Sequence, residues 1–161
     1  MSMKDEEILM KEKDRTMEHV FLDYVNRFRK YYSYIFQPVA QKYGLSQLEI
    51  DVLLFLYNNP EFTTARDIVE QRGFAKSNVS TAVESLRKKG YLTSNTDPEN
   101  RKLRRLALMP DMEDRLREIA SCQRQGLSAL MTDFAEEEKG LMRQYFQRID
   151  RNIVAAMADK K

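Results

Sequence analysis

The sequence predicts a mainly α-helical fold with one two-stranded hairpin, and three observations carry that expectation. Two short helical patterns in mid-chain are separated by Arg72-Gly73-Phe74, so two helices meet across a tight turn. After the second, the periodicity changes at Gly90 from helical to extended, and Asp97-Pro98-Glu99-Asn100 is strong turn chemistry between two extended pieces. Long amphipathic segments flank this unit on both sides. Together these features define a winged helix-turn-helix whose N- and C-terminal helices form a dimerisation layer. Residues 45–110 are expected to form the winged helix and residues 1–44 with 111–161 the helical layer, integrated as one domain.

The first segment, about residues 5–43, sets Phe21, Tyr24, Val25, Phe28, Tyr32, Ile35 and Val39 at helical steps of three and four. Pro38 inside that face predicts a kink or local loosening, and Gly44 a helix stop. Ser46 and Glu49 fit a capping box, with Leu45 and Ile50 placed as its hydrophobic staple. Loss of the Ser46 hydroxyl is expected to cost about 1 kcal/mol. The helix opened there, through Tyr57, is so rich in Ile50, Val52, Leu53, Leu54, Phe55 and Leu56 that it must be buried on most sides. Asn58-Asn59-Pro60 ends it.

Thr63 or Thr64 then caps a short helix with Ala65, Ile68 and Val69 inward. The next helix, about 76–89, aligns Val79, Val83 and Leu86, and Gly90 stops it. Residues 91–94 and 106–108 read as strands, with Leu106 and Leu108 on one face and Arg101, Lys102, Arg104 and Arg105 between the turn and the returning strand. A helix over about 111–131 turns Met112, Leu116, Ile119, Leu127 and Leu130 inward. Thr132-Asp133 interrupts it, with Asp133 and Glu136 as an acidic cap for a last helix carrying Phe134, Leu141, Tyr145, Ile149 and Ile153. The terminal apolar faces exceed what a small winged helix covers, so a second copy of the chain is the expected cover.

Composition narrows the function classes. No apolar run approaches the roughly 20 residues of a membrane span. The charge-alternating N-terminus carries no export signal, and the lone Cys122 has no internal disulfide partner, so a cytoplasmic protein is expected. One His and one Cys leave no metal-ligand spacing, and no nucleophile–His arrangement or phosphate-binding glycine loop is present. Neither an enzyme nor a bound cofactor or metal is expected. The charge is unevenly spread: residues 62–109 hold ten basic and five acidic side chains, a net +5 within a chain of net +2. Such a basic middle is an electrostatic footprint for a polyanion.

The run SNVSTAVESLRKKGYLTSNTDPENRKLRRLAL, residues 77–108, resembles the MarR (multiple-antibiotic-resistance regulator) family of transcription regulators. The shared features are a small polar helix start, a leucine before a basic patch, "KKGYL", a wing turn of D-P-x-D-R-R type and a short apolar strand. The resemblance implies a triangular homodimer whose terminal helices interlock and whose two winged-helix lobes reach successive major grooves of a palindrome. It also implies a repressor that releases DNA when a small aromatic acid or an oxidant acts. The chain departs from the family at Asn100 and Lys102, where the wing Asp and its Arg partner would stand. Thr81 replaces a frequently basic position, and the peroxide-sensing branch's N-terminal cysteine is missing.

Lys76, Ser77, Asn78, Ser80 and Thr81 are the candidate groove readers, because short polar side chains let a helix approach base edges, and Asn pairs bidentately with adenine. Ser77 as an ordinary N-cap is the plain alternative. Arg87, Lys88 and Lys89 lie late in the helix and suit phosphates, as do Arg101, Lys102 and Arg104 in the wing. With Lys102 replacing an arginine, Arg101 or Arg104 is expected to carry much of the wing's contact. The aromatic stripe Phe21, Tyr24, Phe28, Tyr31, Tyr32, Tyr34 and Phe36 reads first as packing and interface. By the resemblance, Tyr32, Phe36 and Phe55 are the candidate lining for an aromatic effector. Cys122 reads as a small buried hydrophobe and the nine Met residues as core filler. The reading as a sequence-specific DNA-binding repressor has two rivals: a winged-helix module for protein contacts with no specific DNA target, and an enzyme, against which the missing catalytic arrangements count.

Overall fold

The computed structural model describes residues 16–158. Its elements are α1 (Met17–Ile35), α2 (Gln37–Tyr43), α3 (Gln47–Asn58), α4 (Ala65–Arg72), α5 (Lys76–Lys88), β1 (Leu92–Thr96), β2 (Arg104–Leu108), a 3-10 turn (Pro110–Met112), α6 (Glu113–Ala129) and α7 (Glu136–Ala158). One compact unit ends at Gln123 and a second begins at Arg124, the boundary falling inside α6. No helix among the described residues is long and apolar enough to cross a membrane.

The segment expected as one kinked helix is two helices. The break falls at Phe36, and Pro38 sits within the first two positions of α2, where its missing N–H is harmless. The part of that expectation covering residues 5–15 lies outside the described residues. Gly44 closes α2 at φ 61°, a left-handed conformation that a Cβ would strain.

The capping box at Ser46 forms as expected: Glu49 N–H donates to Ser46 Oγ at 3.2 Å, and Ser46 N–H donates to the Glu49 carboxylate at 2.7 Å. Thr64, rather than Thr63, is the cap of α4, with Asp67 as its reciprocal partner. Helix α3 runs through the middle of the core, burying Ile50, Val52, Leu53, Leu54, Phe55 and Leu56. Around it pack Phe36, Val39, Ile68, Val79, Leu86, Tyr91, Leu92, Leu106, Leu116 and Ile119.

The strands pair antiparallel with Leu92 opposite Leu108 and Thr96 opposite Arg104. Leu106 is buried and Leu108 half-buried on the inner face. Strand β2 starts earlier than expected, so Arg104 and Arg105 belong to the strand and not to the turn. Its other edge is held by Leu106 N–H donating to Thr63 O at 2.7 Å, which fixes the hairpin beside α4.

The cap expected from Asp133 and Glu136 is different in the structure. Asp133 takes a left-handed φ of 65°, and Glu138 instead accepts from Ala135 N–H at 2.8 Å. Neither α1 nor α7 buries a single residue. Leu141, Tyr145, Ile149 and Ile153 recur every fourth residue on α7 and all lie exposed, as do Phe21, Leu22 and Tyr24 on α1.

Candidate nucleic-acid interface

Helix α5 is held from behind by Val79, Ala82 and Leu86, all buried. At 100° per residue the opposite face is Ser77, Thr81, Glu84 and Lys88, flanked by Lys76, Ser80 and Arg87 on one side and Asn78 on the other. All five expected groove readers are exposed. Ser77 is not the N-cap; that position is Ala75, whose side chain makes no cap hydrogen bond. The first-turn amides of α5 therefore point outward without a side-chain acceptor from the cap, an arrangement that suits a phosphate oxygen. Thr81 donates its hydroxyl proton to Ser77 O at 3.0 Å, which leaves its methyl group and the oxygen's two lone pairs for a partner.

The late cations differ from one another. Lys89 lies along the surface onto the α2–α3 turn: its ammonium donates to Glu49 at 2.8 Å and 2.9 Å and to Gly44 O at 2.7 Å. Its expected role at phosphates is thus corrected to a structural tie between the end of α5 and the α2–α3 turn. Burial works to raise the Glu49 pKa, but hydrogen bonds from Lys89, Ser85 and Ser46 N–H more than offset this and hold it below the ordinary value. Arg87 grips Glu84 at two points, 2.9 Å and 2.8 Å, and Lys88 stands 3.6 Å from the same carboxylate. The Arg87 hydrogen bonds pull the Glu84 pKa down to about 2, so the acid stays ionised.

In the wing, Arg101 and Lys102 are exposed beside the turn. Asn100 uses its side-chain carbonyl to accept from Lys102 N–H at 3.1 Å, a local turn bond in place of an ion pair. The hairpin's ion pair is Arg105 with Asp97 at 2.6 Å, and Arg105 also donates to Thr63 Oγ1 at 2.8 Å. That contact, followed by the Glu99 and Asn100 amides, lowers the Asp97 pKa. Arg104 folds back on Ser94, donating to its Oγ at 3.0 Å and its carbonyl at 2.7 Å.

Sequence reasoning counted Glu84 and Asp97 only as negative charge and turn chemistry. The signal for Glu84 was present, since an acid three and four residues before Arg87 and Lys88 is a helix ion-pair spacing. Nothing in the sequence alone pairs Asp97 with Arg105, because that contact depends on strand register.

The three candidate effector residues sit differently. Phe36 and Phe55 are core residues, 0% and 2% exposed, whereas Tyr32 is half-buried and its hydroxyl accepts from Gln123 at 2.7 Å. The stripe itself is a ladder of rings, Tyr24–Phe28–Tyr32–Phe36, with centroids 5.8, 5.8 and 5.1 Å apart. Cys122 is half-buried against the core, and burial, then the Glu118 carboxylate, push its thiol pKa up, away from the reactive thiolate. Cys122→Ser is therefore expected to bind DNA as wild type does, with and without peroxide; loss of a peroxide response in the variant would show a sensing thiol.

A helix-turn-helix buried on its inner face, with a polar exposed second helix and a basic hairpin beside it, defines a winged helix. Residues 43–103 match the model of the MarR family, and solved structures of MarR proteins share the fold of the chain. Among solved structures, a MarR protein from Peptoclostridium difficile superposes with a TM-score of 0.78 at 16% identity, covering 91% of this chain and 95% of its own. A MarR-family regulator from Listeria monocytogenes, complexed with 26mer DNA, gives 0.75 at 15% identity over 84% of this chain and 89% of its own. Bordetella bronchiseptica BpsR, whose DNA binding is regulated by 6-hydroxynicotinic acid, gives 0.65 at 18% identity over 84% of this chain and 99% of its own. At these identities the likeness is one of fold. No curated protein matches the chain.

Proposed function

We propose that this protein is a homodimeric, sequence-specific DNA-binding repressor of the cytoplasm that reads a palindromic operator and responds to a small aromatic effector. The observation that carries the DNA reading is the exposed polar start of α5, Lys76 to Thr81, beside the basic wing. The helix enters the major groove, and Asn78 and Ser77 touch base edges. Arg87, Lys88, Arg101, Lys102 and Arg104 neutralise backbone phosphates. The winged-helix region, 45–110, does the reading, and the helices on either side hold two copies together. The Listeria relative's DNA complex and the BpsR response to an aromatic acid support the assignment by analogy of fold.

A gel shift against mixed genomic fragments over a salt series tests it. Specific, salt-sensitive retention is the expected result; no retention at low salt would favour a protein-contact module. Titrating planar aromatic acids into the bound complex tests the effector, with release expected and unchanged affinity throughout counting against it.

Base contacts specify and phosphate contacts position. Asn78→Ala and Ser77→Ala are therefore expected to change which sequences are preferred, by roughly 1–3 kcal/mol of discrimination for a good base contact. Lys88→Ala is expected to weaken all sequences alike. Identical preferences for wild type and both helix-start variants, measured by selection from a randomised library, would refute the assignment.

A further inference from the structure

A groove of about 380 Å³ runs between α5 and the hairpin, lined by Ser80, Glu84 and Arg87 from the helix and Ser94, Arg104 and Leu106 from the strands. Each of its two arginines is held by two hydrogen bonds. The Glu84 carboxylate holds Arg87 at two points, and Ser94 holds Arg104 through its hydroxyl and carbonyl. Both anchors leave part of each guanidinium edge unused, because a guanidinium has five N–H donors and each anchor takes two. Glu84 does not cancel the groove's charge: with Arg87 and Lys88 gathered on it, the three side chains sum to a single positive charge.

We propose that this groove is a seat for one DNA backbone phosphate, held jointly by Arg87 and Arg104, with Glu84 and Ser94 as the positioning residues that aim them. This rests on the DNA reading above. If α5 occupies the major groove and the wing the neighbouring minor groove, the strand dividing those grooves must cross the gap between helix and hairpin, where the groove lies. A guanidinium fork fixed beforehand loses little side-chain freedom when it meets a phosphate, and its geometry matches phosphate oxygens. Two arginines on one phosphate differ from two arginines on two phosphates in a measurable way. Shared, they neutralise one charge and their losses overlap; separate, they neutralise two and their losses add.

The test is operator affinity of the 161-residue chain over a salt series, for Arg87→Ala, Arg104→Ala and the double variant. Arg101→Ala, alone and combined with Arg87→Ala, is the control at an independent site. Each single substitution in the seat is expected to cost about tenfold per subunit. The double variant is expected to cost well under the product of the two, with a salt slope lower by about 0.9 per subunit. Arg101→Ala with Arg87→Ala is expected to multiply. In a Glu84→Gln background the coupling between Arg87 and Arg104 is expected to fall, because Arg87 is no longer aimed. Multiplying losses for Arg87 with Arg104, with slopes that add, would overturn the shared seat. A wild type without salt-dependent DNA binding would instead overturn the DNA reading itself, so the two failures are distinguishable.

Discussion

Placing aspartate at both Ile149 and Ile153 is expected to turn the protein into a monomer. These side chains lie one turn apart on α7, 38% and 48% exposed, in line with Leu141 and Tyr145. A 23-residue helix with no buried residue and a continuous apolar stripe is not stable facing water alone. In the proposed dimer a symmetric partner would bury each position twice, so the double substitution would remove four isoleucines from the interface. With less than half of each side chain left to bury, each contributes roughly 1 kcal/mol, so the loss is about 4 kcal/mol before the desolvation of four carboxylates is added. Sedimentation at micromolar concentration is the measurement. A single monomer boundary is expected, with the helical signal of the winged-helix unit intact, because neither residue belongs to its core. Operator affinity should collapse with it, since one lobe holds only half of a palindrome. A variant that sediments as a dimer would place the subunit contact elsewhere.

The second large effect concerns Lys89. Glu49 is 4% exposed, and its carboxylate both closes the α3 capping box and receives Lys89. Lys89→Met keeps the aliphatic stem but strands that carboxylate. Losing one partner of a buried pair is costly, though the Lys89 side chain is 35% exposed and solvent screens part of the interaction, which brings the expected loss to about 2 kcal/mol. The pH dependence has a definite sign. In wild type the folded pKa of Glu49 is depressed, so its contribution is present above the ordinary carboxylate range and disappears as pH falls through the folded value. Without Lys89, burial is opposed only by Ser85 and the Ser46 N–H, so the ionised acid loses part of its stabilisation. The penalty of Lys89→Met is thus greatest near neutrality and shrinks on acidification. Urea unfolding of both proteins at pH 7 and near pH 4 measures this. A penalty that is negligible at pH 7, or equal at both, would show that the tie contributes little.

Much of this was legible in the sequence because local chemistry and tertiary packing agree. Ser46 with Glu49, and Thr64 within the expected Thr63–Thr64 pair, cap helices whose apolar spacing points to the same core. Pro38 announced a disturbance, but whether a helix bends or parts there depends on how Phe36 packs, and Phe36 is wholly buried. Asp133 and Glu136 had cap spacing, yet the left-handed turn at Asp133 shifted the cap two residues on, to Ala135 and Glu138. At the interface, composition identified the exposed polar and basic residues but not which cations were engaged. Lys88 and Lys89 are adjacent and chemically identical, and only the helix phase sends one outward and the other onto Glu49. Arg104 and Arg105 are similarly divided by the strand alternation, one onto Ser94 and one onto Asp97.

Selection of bound fragments from the source genome tests the central claim, that α5 reads DNA in a symmetric dimer, most directly. Wild type is expected to enrich a two-fold symmetric sequence whose half-sites lie about one helical turn, some 10 base pairs, apart. Asn78→Ala is expected to enrich a sequence altered at the same position of both half-sites. Fragments without symmetry, or an identical enriched sequence from wild type and Asn78→Ala, would contradict it.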